Sequence, residues 1–107
     1  MKELLIFRHA KTEKREGNIS DFDRKLIDKG RNDVKKIGKD LAKQKILPDL
    51  VLCSRALRAR ETANIFAKSS GFTGQIEYLD ELYQAYPGQY LTLCAKYGRD
   101  SSRIMIV

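Results

Sequence analysis

Four short apolar runs along the chain have the length and composition of β-strands. They cover about residues 3–7, 49–53, 75–78 and 103–107. Runs of this length that are rich in Leu, Ile, Val and Tyr and are bounded by turn-forming residues are typical of strands. The pattern therefore predicts four strands, the last of which reaches the final residue of the sequence.

The longer segments between these runs have helical spacing. One helix is predicted over about 28–44 from apolar residues that recur three, four or more positions apart, namely Leu26, Val34, Ile37 and Leu41. A second follows Ser54, whose hydroxyl is a plausible N-cap, and stops near Gly71. Residues 80–85 read as a loop or short helix, and a third long helix is predicted over 89–97.

Strands that alternate with helices indicate an α/β fold. Helices on both faces of a largely parallel sheet form a three-layer sandwich, and the length of 107 residues suits one domain. Ligand sites of such sheets form at the carboxyl ends of the strands. Side chains that directly follow the predicted strands are therefore the first candidates for function.

The composition is that of an ordinary soluble protein, with 42% hydrophobic and 33% charged residues. No apolar run approaches the roughly 20 residues that span a bilayer. The start of the chain does not have the organisation of a secretory signal. Cys53 and Cys94 lie in apolar segments without metal-type spacing, so we expect two buried or half-buried thiols in a reducing, cytoplasmic setting.

The formal net charge of +7 has two interpretations. It could attract anions such as phosphorylated substrates, nucleic acid or acidic proteins. It could instead reflect a solvated helix face, because one helical segment carries a series of lysines that includes Lys35, Lys36, Lys39, Lys43 and Lys45. Aromatic residues are not interleaved with the basic ones, which disfavours nucleic acid as the partner.

The single histidine of the chain, His9, follows the first predicted strand and is preceded by Arg8. A lone histidine is usually structural. At the carboxyl end of a strand, however, an imidazole nitrogen can act as a nucleophile toward phosphorus. The neighbouring guanidinium can bind phosphoryl oxygens in bidentate fashion. Lys11 is close enough in sequence to help attract anions.

A set of ordered motifs resembles the histidine phosphatase superfamily, also called phosphoglycerate-mutase-like. The motifs are RHAKT from Arg8, DRxL from Asp23, Gly30, PDLVL from Pro48, the segment from Ser54 to Ala63 with Arg58, and LDELY from Leu79. The whole chain is covered, and its shortness and the DRxL segment resemble the small phosphohistidine phosphatase branch. The resemblance implies a phosphoglycerate-mutase-like three-layer sandwich. We expect no metal or other cofactor, because no carboxylate or Cys/His cluster in the sequence has metal-ligand spacing.

Site residues follow from this resemblance. It implies that His9 is the nucleophile and phospho-acceptor, and that Arg8 and Arg58 hold the phosphoryl oxygens. Arg24 would be a third cationic contact, and Glu81 matches the segment that carries the acid in larger members. Clustered cations suit this chemistry because the transferring phosphoryl group spreads negative charge over its oxygens.

Three of these residues keep ordinary alternatives. Arg58 could be a surface arginine near the start of a helix. Arg24 could form a salt bridge with Asp21 or Asp28 at a helix entry. Glu81 could be a solvated charge beside Asp80, because an imidazole leaving group needs less acid catalysis than an alkoxide does.

One departure concerns the end of the sequence. The family carries a second catalytic histidine just after its fourth core strand, where residues 103–107 end this chain. We therefore expect 1–107 to be the front two-thirds of a single histidine phosphatase domain, C-terminally incomplete. An apolar strand exposed at Ile104 to Val107 would invite self-association.

Three functional hypotheses remain open. The first is a phosphatase that hydrolyses phosphohistidine on a protein through phospho-His9. The second is a catalytically impaired module that binds a phosphorylated protein. The third is a phosphatase that acts on small phosphate monoesters.

Overall fold

The computed structural model describes residues 3–7, 22, 24–83 and 85–107, and these form four strands and three long helices. The strands are β1 (Glu3–Ile6), β2 (Leu50–Ser54), β3 (Gln75–Leu79) and β4 (Arg103–Ile106). The helices are α1 (Asp28–Lys43), α2 (Leu57–Ser70) and α3 (Pro87–Tyr97), with a one-turn 3₁₀ helix at Asp80–Leu82. Every predicted strand and long helix is present, most with bounds within one residue. Helix α3 begins two residues earlier than predicted because proline is compatible with the first helical turn.

The strands form one parallel sheet in the order β1-β4-β2-β3. Strand β4 pairs with β1 on one side, where Glu3 faces Arg103, and with β2 on the other, where Leu52 faces Ile106. Strand β3 pairs with β2 from Leu50–Gln75 to Ser54–Leu79. Because every pairing is parallel, the carboxyl ends of the four strands lie at a single edge of the sheet, here called the carboxyl edge.

Two hydrophobic clusters cover the two faces of this sheet. Alternate residues of β2 and β4 point to opposite faces. One set packs with α1 and α2 and includes Val51, Cys53, Met105 and Val107. The other packs with α3 and includes Leu50, Leu52, Ile104 and Ile106. The predicted three-layer α/β sandwich is therefore confirmed.

Glycine residues form much of the face of α1 that is buried, where the sequence pattern predicted apolar side chains. The buried residues of α1 are Gly30, Val34 and Gly38, four positions apart. A Cβ atom at Gly38 would overlap the Oγ atom of Ser69 in α2. The two helices can therefore lie this close together only because residue 38 has no side chain. Ile37, predicted to face inward, is 41% exposed because the glycine side of the helix occupies the interface.

Two further expectations are corrected by the structure. Ser54 does not cap α2, since it is the last residue of β2, and α2 begins after Ala56. Its hydroxyl instead accepts a hydrogen bond from the Ala56 N–H at 3.2 Å, within the turn between strand and helix.

The predicted exposure of the fourth strand was also wrong. Residues 104–107 are all buried, because β4 lies between β1 and β2 and helices pack on both of its faces. Among the described strands, β1 and β3 are the outer ones. At the carboxyl edge, the apolar side chain of Ile6 in β1 is 53% exposed.

The opposite edge of the sheet is organised by one carboxylate and one guanidinium. Asp49 accepts hydrogen bonds from the backbone N–H groups of Ser102 (2.7 Å) and Arg103 (3.0 Å), which lowers its pKa below 3.8. Arg103 donates to both carboxylate oxygens of Glu3 at 3.1 and 3.3 Å. The starts of β1, β2 and β4 are thereby joined.

The lysines of the first helical segment lie on its solvent face. Lys35, Lys36, Lys39, Lys43 and Lys45 are all exposed. Much of the positive charge is thus a solvated surface, as one of the two interpretations predicted. Within the described ranges, no helix combines the length and the apolar character needed to cross a membrane.

Candidate functional site

The carboxyl edge brings together backbone that is far apart in the sequence. The N–H of Phe7 donates to the carbonyl of Ile106 at 2.8 Å, and the N–H of Ser54 donates to that of Val107 at 3.1 Å. The start of α2 and the 3₁₀ helix after β3 adjoin the same edge. This edge is the place where a ligand site is expected in a parallel sheet.

Arg58 is a buried cation at this edge. It lies in the first turn of α2 and is only 8% exposed, so the alternative of a surface arginine does not describe it. Its guanidinium carbon lies 5.9 Å from the centre of the Tyr83 ring, close enough for a cation–π contact. Its backbone carbonyl accepts a hydrogen bond from the buried Thr62 hydroxyl at 2.7 Å.

Tyr83 connects this arginine to the segment that precedes α1. The Phe22 ring packs edge-on against the Tyr83 ring, with 5.1 Å between centroids and 81° between planes. Half-buried Arg24 lies in the same segment, two residues after Phe22. The structure thus brings the surroundings of two predicted site residues, Arg24 and Arg58, to one region.

The carboxylate of Glu61 in α2 binds the segment that precedes α1 at Leu26, two residues after Arg24. Glu61 Oε1 accepts a hydrogen bond from the Leu26 N–H at 3.0 Å, and Glu61 Oε2 forms an ion pair with Arg31 of α1. The Glu61 side chain is only 16% exposed. Sequence reasoning missed this residue. Its position one helical turn after Arg58 was the available sign.

Glu81 is directed to a different set of partners. Its Oε2 atom accepts a hydrogen bond from the Tyr97 hydroxyl at 3.3 Å and lies 4.0 Å from Lys96 Nζ, both in the last turn of α3. Its side chain is 46% exposed. These contacts fit a solvated, ion-paired carboxylate, and its role toward substrate stays a prediction.

The two arginines that flank Arg58 in the sequence, Arg55 and Arg60, lie on the surface. Arg55 forms an exposed ion pair with Asp80 at 3.0 Å, and the Arg60 Nε donates to the Arg55 carbonyl at 2.9 Å. Arg8, His9 and Lys11 lie outside the described residues, so their predicted roles stay predictions.

The thiol of Cys53, next to the last residue of β2, is a nucleophilic group near the carboxyl edge, and its environment lowers its reactivity. Burial raises the pKa of the Cys53 thiol from 9.0 to about 12, against a smaller opposing effect of Arg60. The Sγ atom donates to the Ser54 carbonyl at 3.1 Å. A thiol in this state carries almost no thiolate at neutral pH.

We therefore expect iodoacetamide at pH 8 to modify half-buried Cys94 and to leave Cys53 unmodified in the folded protein. Mass spectrometry of digests, with a guanidinium-unfolded sample as control, measures this. Because the folded state retains a proton that the unfolded chain loses above pH 9, the free energy of unfolding should fall relative to that of Cys53→Ala as pH rises from 9 toward 12. Fast labelling of native Cys53 at pH 8 would contradict the interpretation.

The chain is similar in sequence and in fold to known proteins. The family model of the histidine phosphatase superfamily, branch 1, matches residues 4–95. An uncharacterised protein of Mycobacterium tuberculosis is 32% identical over 100 residues, which are 94% of this chain and 60% of that protein.

Two solved structures show the same fold. The first, a SixA protein of Agrobacterium tumefaciens described as a candidate phosphohistidine phosphatase, has a TM-score of 0.86 and 33% identity over 97% of this chain and 65% of that one. The second, a protein histidine phosphatase SixA in complex with tungstate, has a TM-score of 0.82 and 24% identity over 96% of this chain and 66% of that one.

The chain thus spans about 60% to 65% of the length of these relatives. The family match covers most of its residues. The chain belongs to the histidine phosphatase superfamily, branch 1.

Proposed function

We propose that this chain carries the phosphoryl-accepting half of a phosphatase that hydrolyses phosphohistidine on a protein, with His9 as the acceptor. The observation that carries the proposal is the buried Arg58 at the carboxyl edge of the sheet. A buried guanidinium with a planar set of donors suits an anion with several oxygens. Family membership supports phosphatase chemistry. The likeness to the Agrobacterium SixA protein supports phosphohistidine as the substrate class.

The proposed reaction has two balanced steps. A lone pair on one His9 ring nitrogen forms an N–P bond while the N–P bond of the substrate breaks, and the electron pair of the broken bond stays on the leaving imidazole, which departs neutral with a proton on its ring. Water then attacks phosphorus while the bond to His9 breaks. The electron pair of that bond returns to the His9 ring, the ring takes up a proton of the water, and inorganic phosphate leaves. Arg8, Arg24 and Arg58 would stabilise the charge that spreads over the phosphoryl oxygens in both steps, with Lys11 helping to attract the anion.

Labelling with phosphoramidate tests the proposal. Incubation of the protein with this small N–P donor should give acid-labile phosphate on His9, followed by release of inorganic phosphate. His9→Ala should abolish both without changing the circular dichroism spectrum. Undiminished phosphate release by a folded His9→Ala variant would refute the proposal.

Two results, one from this labelling and one from an assay with a phosphate monoester, would point to the other hypotheses. Label on His9 that does not clear would favour a module that binds a phosphorylated protein. Efficient turnover of a phosphate monoester, with strong loss in Glu81→Ala, would favour small esters, because an alkoxide leaving group needs a proton donor. The exposed contacts of Glu81 with α3 favour the phosphohistidine hypothesis.

A further inference from the structure

The segment that carries Arg24 is attached to the rest of the site at two points. On one side of Arg24, the Phe22 ring packs on Tyr83, which in turn lies against the Arg58 guanidinium. On the other side, the Leu26 N–H donates to Glu61 Oε1 at 3.0 Å. Arg24 thus lies in a short stretch whose two ends are held by contacts to other elements.

The Glu61 contact has features of a strong attachment. Its acceptor is a carboxylate oxygen, and charge-assisted hydrogen bonds are about twice as strong as neutral ones. The side chain is mostly shielded from solvent, so the interaction is less screened than one on the surface. Leu26 itself is 2% exposed, so this hydrogen bond is shielded from water on the donor side as well.

The ion pair with Arg31 makes a carboxylate acceptable near a phosphate site. A bare carboxylate there would repel an incoming dianion. Arg31 binds the second carboxylate oxygen of Glu61, which offsets this charge while the first oxygen holds Leu26. Arg31 belongs to α1, so Glu61 joins α2, α1 and the segment that leads into α1.

Glu61 and Arg58 share one helix and are one turn apart. Helix α2, which carries Arg58, therefore also binds the backbone of Leu26, two residues after Arg24. Binding of a phosphoryl group by two guanidinium groups requires that their separation be fixed before the ligand arrives, since small displacements of positioned groups are costly.

We propose that Glu61 is the positioning residue of this anion site, and that it sets the place of Arg24 relative to Arg58 by holding the Leu26 backbone. The inference rests on the proposed function, in which both arginines contact the phosphoryl group. Glu61 itself does not touch the ligand.

A double-mutant cycle with tungstate as the probe tests this role. Tungstate is a tetrahedral oxyanion, and its dissociation constant is measured by isothermal titration calorimetry on the full chain. Glu61→Ala should weaken binding about tenfold, the factor that corresponds to one charge-assisted hydrogen bond. In the Arg24→Ala background the same change should have less than a twofold effect, because there is no longer a guanidinium to position.

Two further variants separate the hydrogen bond from the side-chain volume. Glu61→Gln keeps an oxygen acceptor for Leu26 and should bind tungstate within about threefold of the parent, whereas Glu61→Met, of similar length without that acceptor, should match Glu61→Ala. Glu61→Met also serves in the cycle where the alanine variant fails to fold. The matched control is Glu77→Ala. Glu77 is a carboxylate of β3 that lines a surface groove together with Glu61 and Phe22, and its loss should leave tungstate binding unchanged.

The outcomes distinguish this inference from the proposed function. Equal losses from Glu61→Ala in both backgrounds, no loss at all, or a loss in Glu61→Gln as large as in Glu61→Met would each overturn the positioning role. Unchanged tungstate binding in both Arg24→Ala and Arg58→Ala would overturn the proposed anion site itself, and the inference with it.

Discussion

Replacing Arg58 with alanine is expected to slow phosphoryl transfer to His9 by about a hundredfold to a thousandfold, the usual cost of removing one preorganised donor from a site of developing charge. Arg58 is 8% exposed, so its charge acts in a region with less water than the surface. The cation–π contact of its guanidinium with the Tyr83 ring restrains it before the ligand binds. The measurement is the rate at which acid-labile phosphate forms on the protein from phosphoramidate.

Two control variants make this result specific. Arg58→Lys keeps the charge but cannot bind two oxygens with a planar fork, so we expect it to recover only part of the rate. Arg60→Ala removes an exposed arginine of the same helix and should stay within about twofold of the parent. A folded Arg58→Ala variant that transfers phosphate at the parent rate would return Arg58 to a purely structural role.

Replacing Phe66 with alanine is expected to lower the free energy of unfolding by about 3–5 kcal/mol. The ring is fully buried between α2 and the sheet. It lies 6.3 Å from the Phe7 ring in an edge-on arrangement and 6.1 Å from the Phe72 ring. Since small domains have stabilities of about 5–15 kcal/mol, this loss would leave a marginal fold.

Urea denaturation followed by circular dichroism measures this change. Phe66→Leu should cost less than alanine because it leaves a smaller cavity. Leu91→Ala, at a residue of α3 that is 68% exposed, should change the free energy of unfolding by no more than about 0.5 kcal/mol. A loss below 1 kcal/mol in Phe66→Ala would mean that the surrounding side chains collapse into the space.

The sequence was sufficient to predict the elements of this fold, because local periodicity determines them. The strand order was less accessible. Residues 103–107 read as an apolar run, and nothing local shows that β4 is inserted between β1 and β2. The expected exposure of Ile104 to Val107 therefore failed. The close contact of α1 with α2 at Gly38 was not predicted for a related reason. A pattern of hydrophobic side chains gives no weight to glycine, which has no side chain.

The candidate site was predictable where residue type and position together determine the chemistry. Arg58 was identified from its motif, although its burial became evident only from packing against Tyr83. Glu61 was not identified, because a glutamate on a helix is usually solvated. Its role depends on Leu26, which is 35 residues away in sequence and adjacent in space. Such pairs cannot be seen in a single sequence.

The central position of β4 has a consequence for how the molecule folds. Glu3 pairs with Arg103, so the two strands that complete the sheet are separated by nearly the whole sequence. Closing so long a loop costs conformational entropy before any pairing energy is gained, and contacts of this kind slow folding. During synthesis, β1 and the edge of β2 that faces β4 stay unpaired within this sheet until β4 leaves the ribosome. This interval is when the nascent chain is most exposed to wrong pairing.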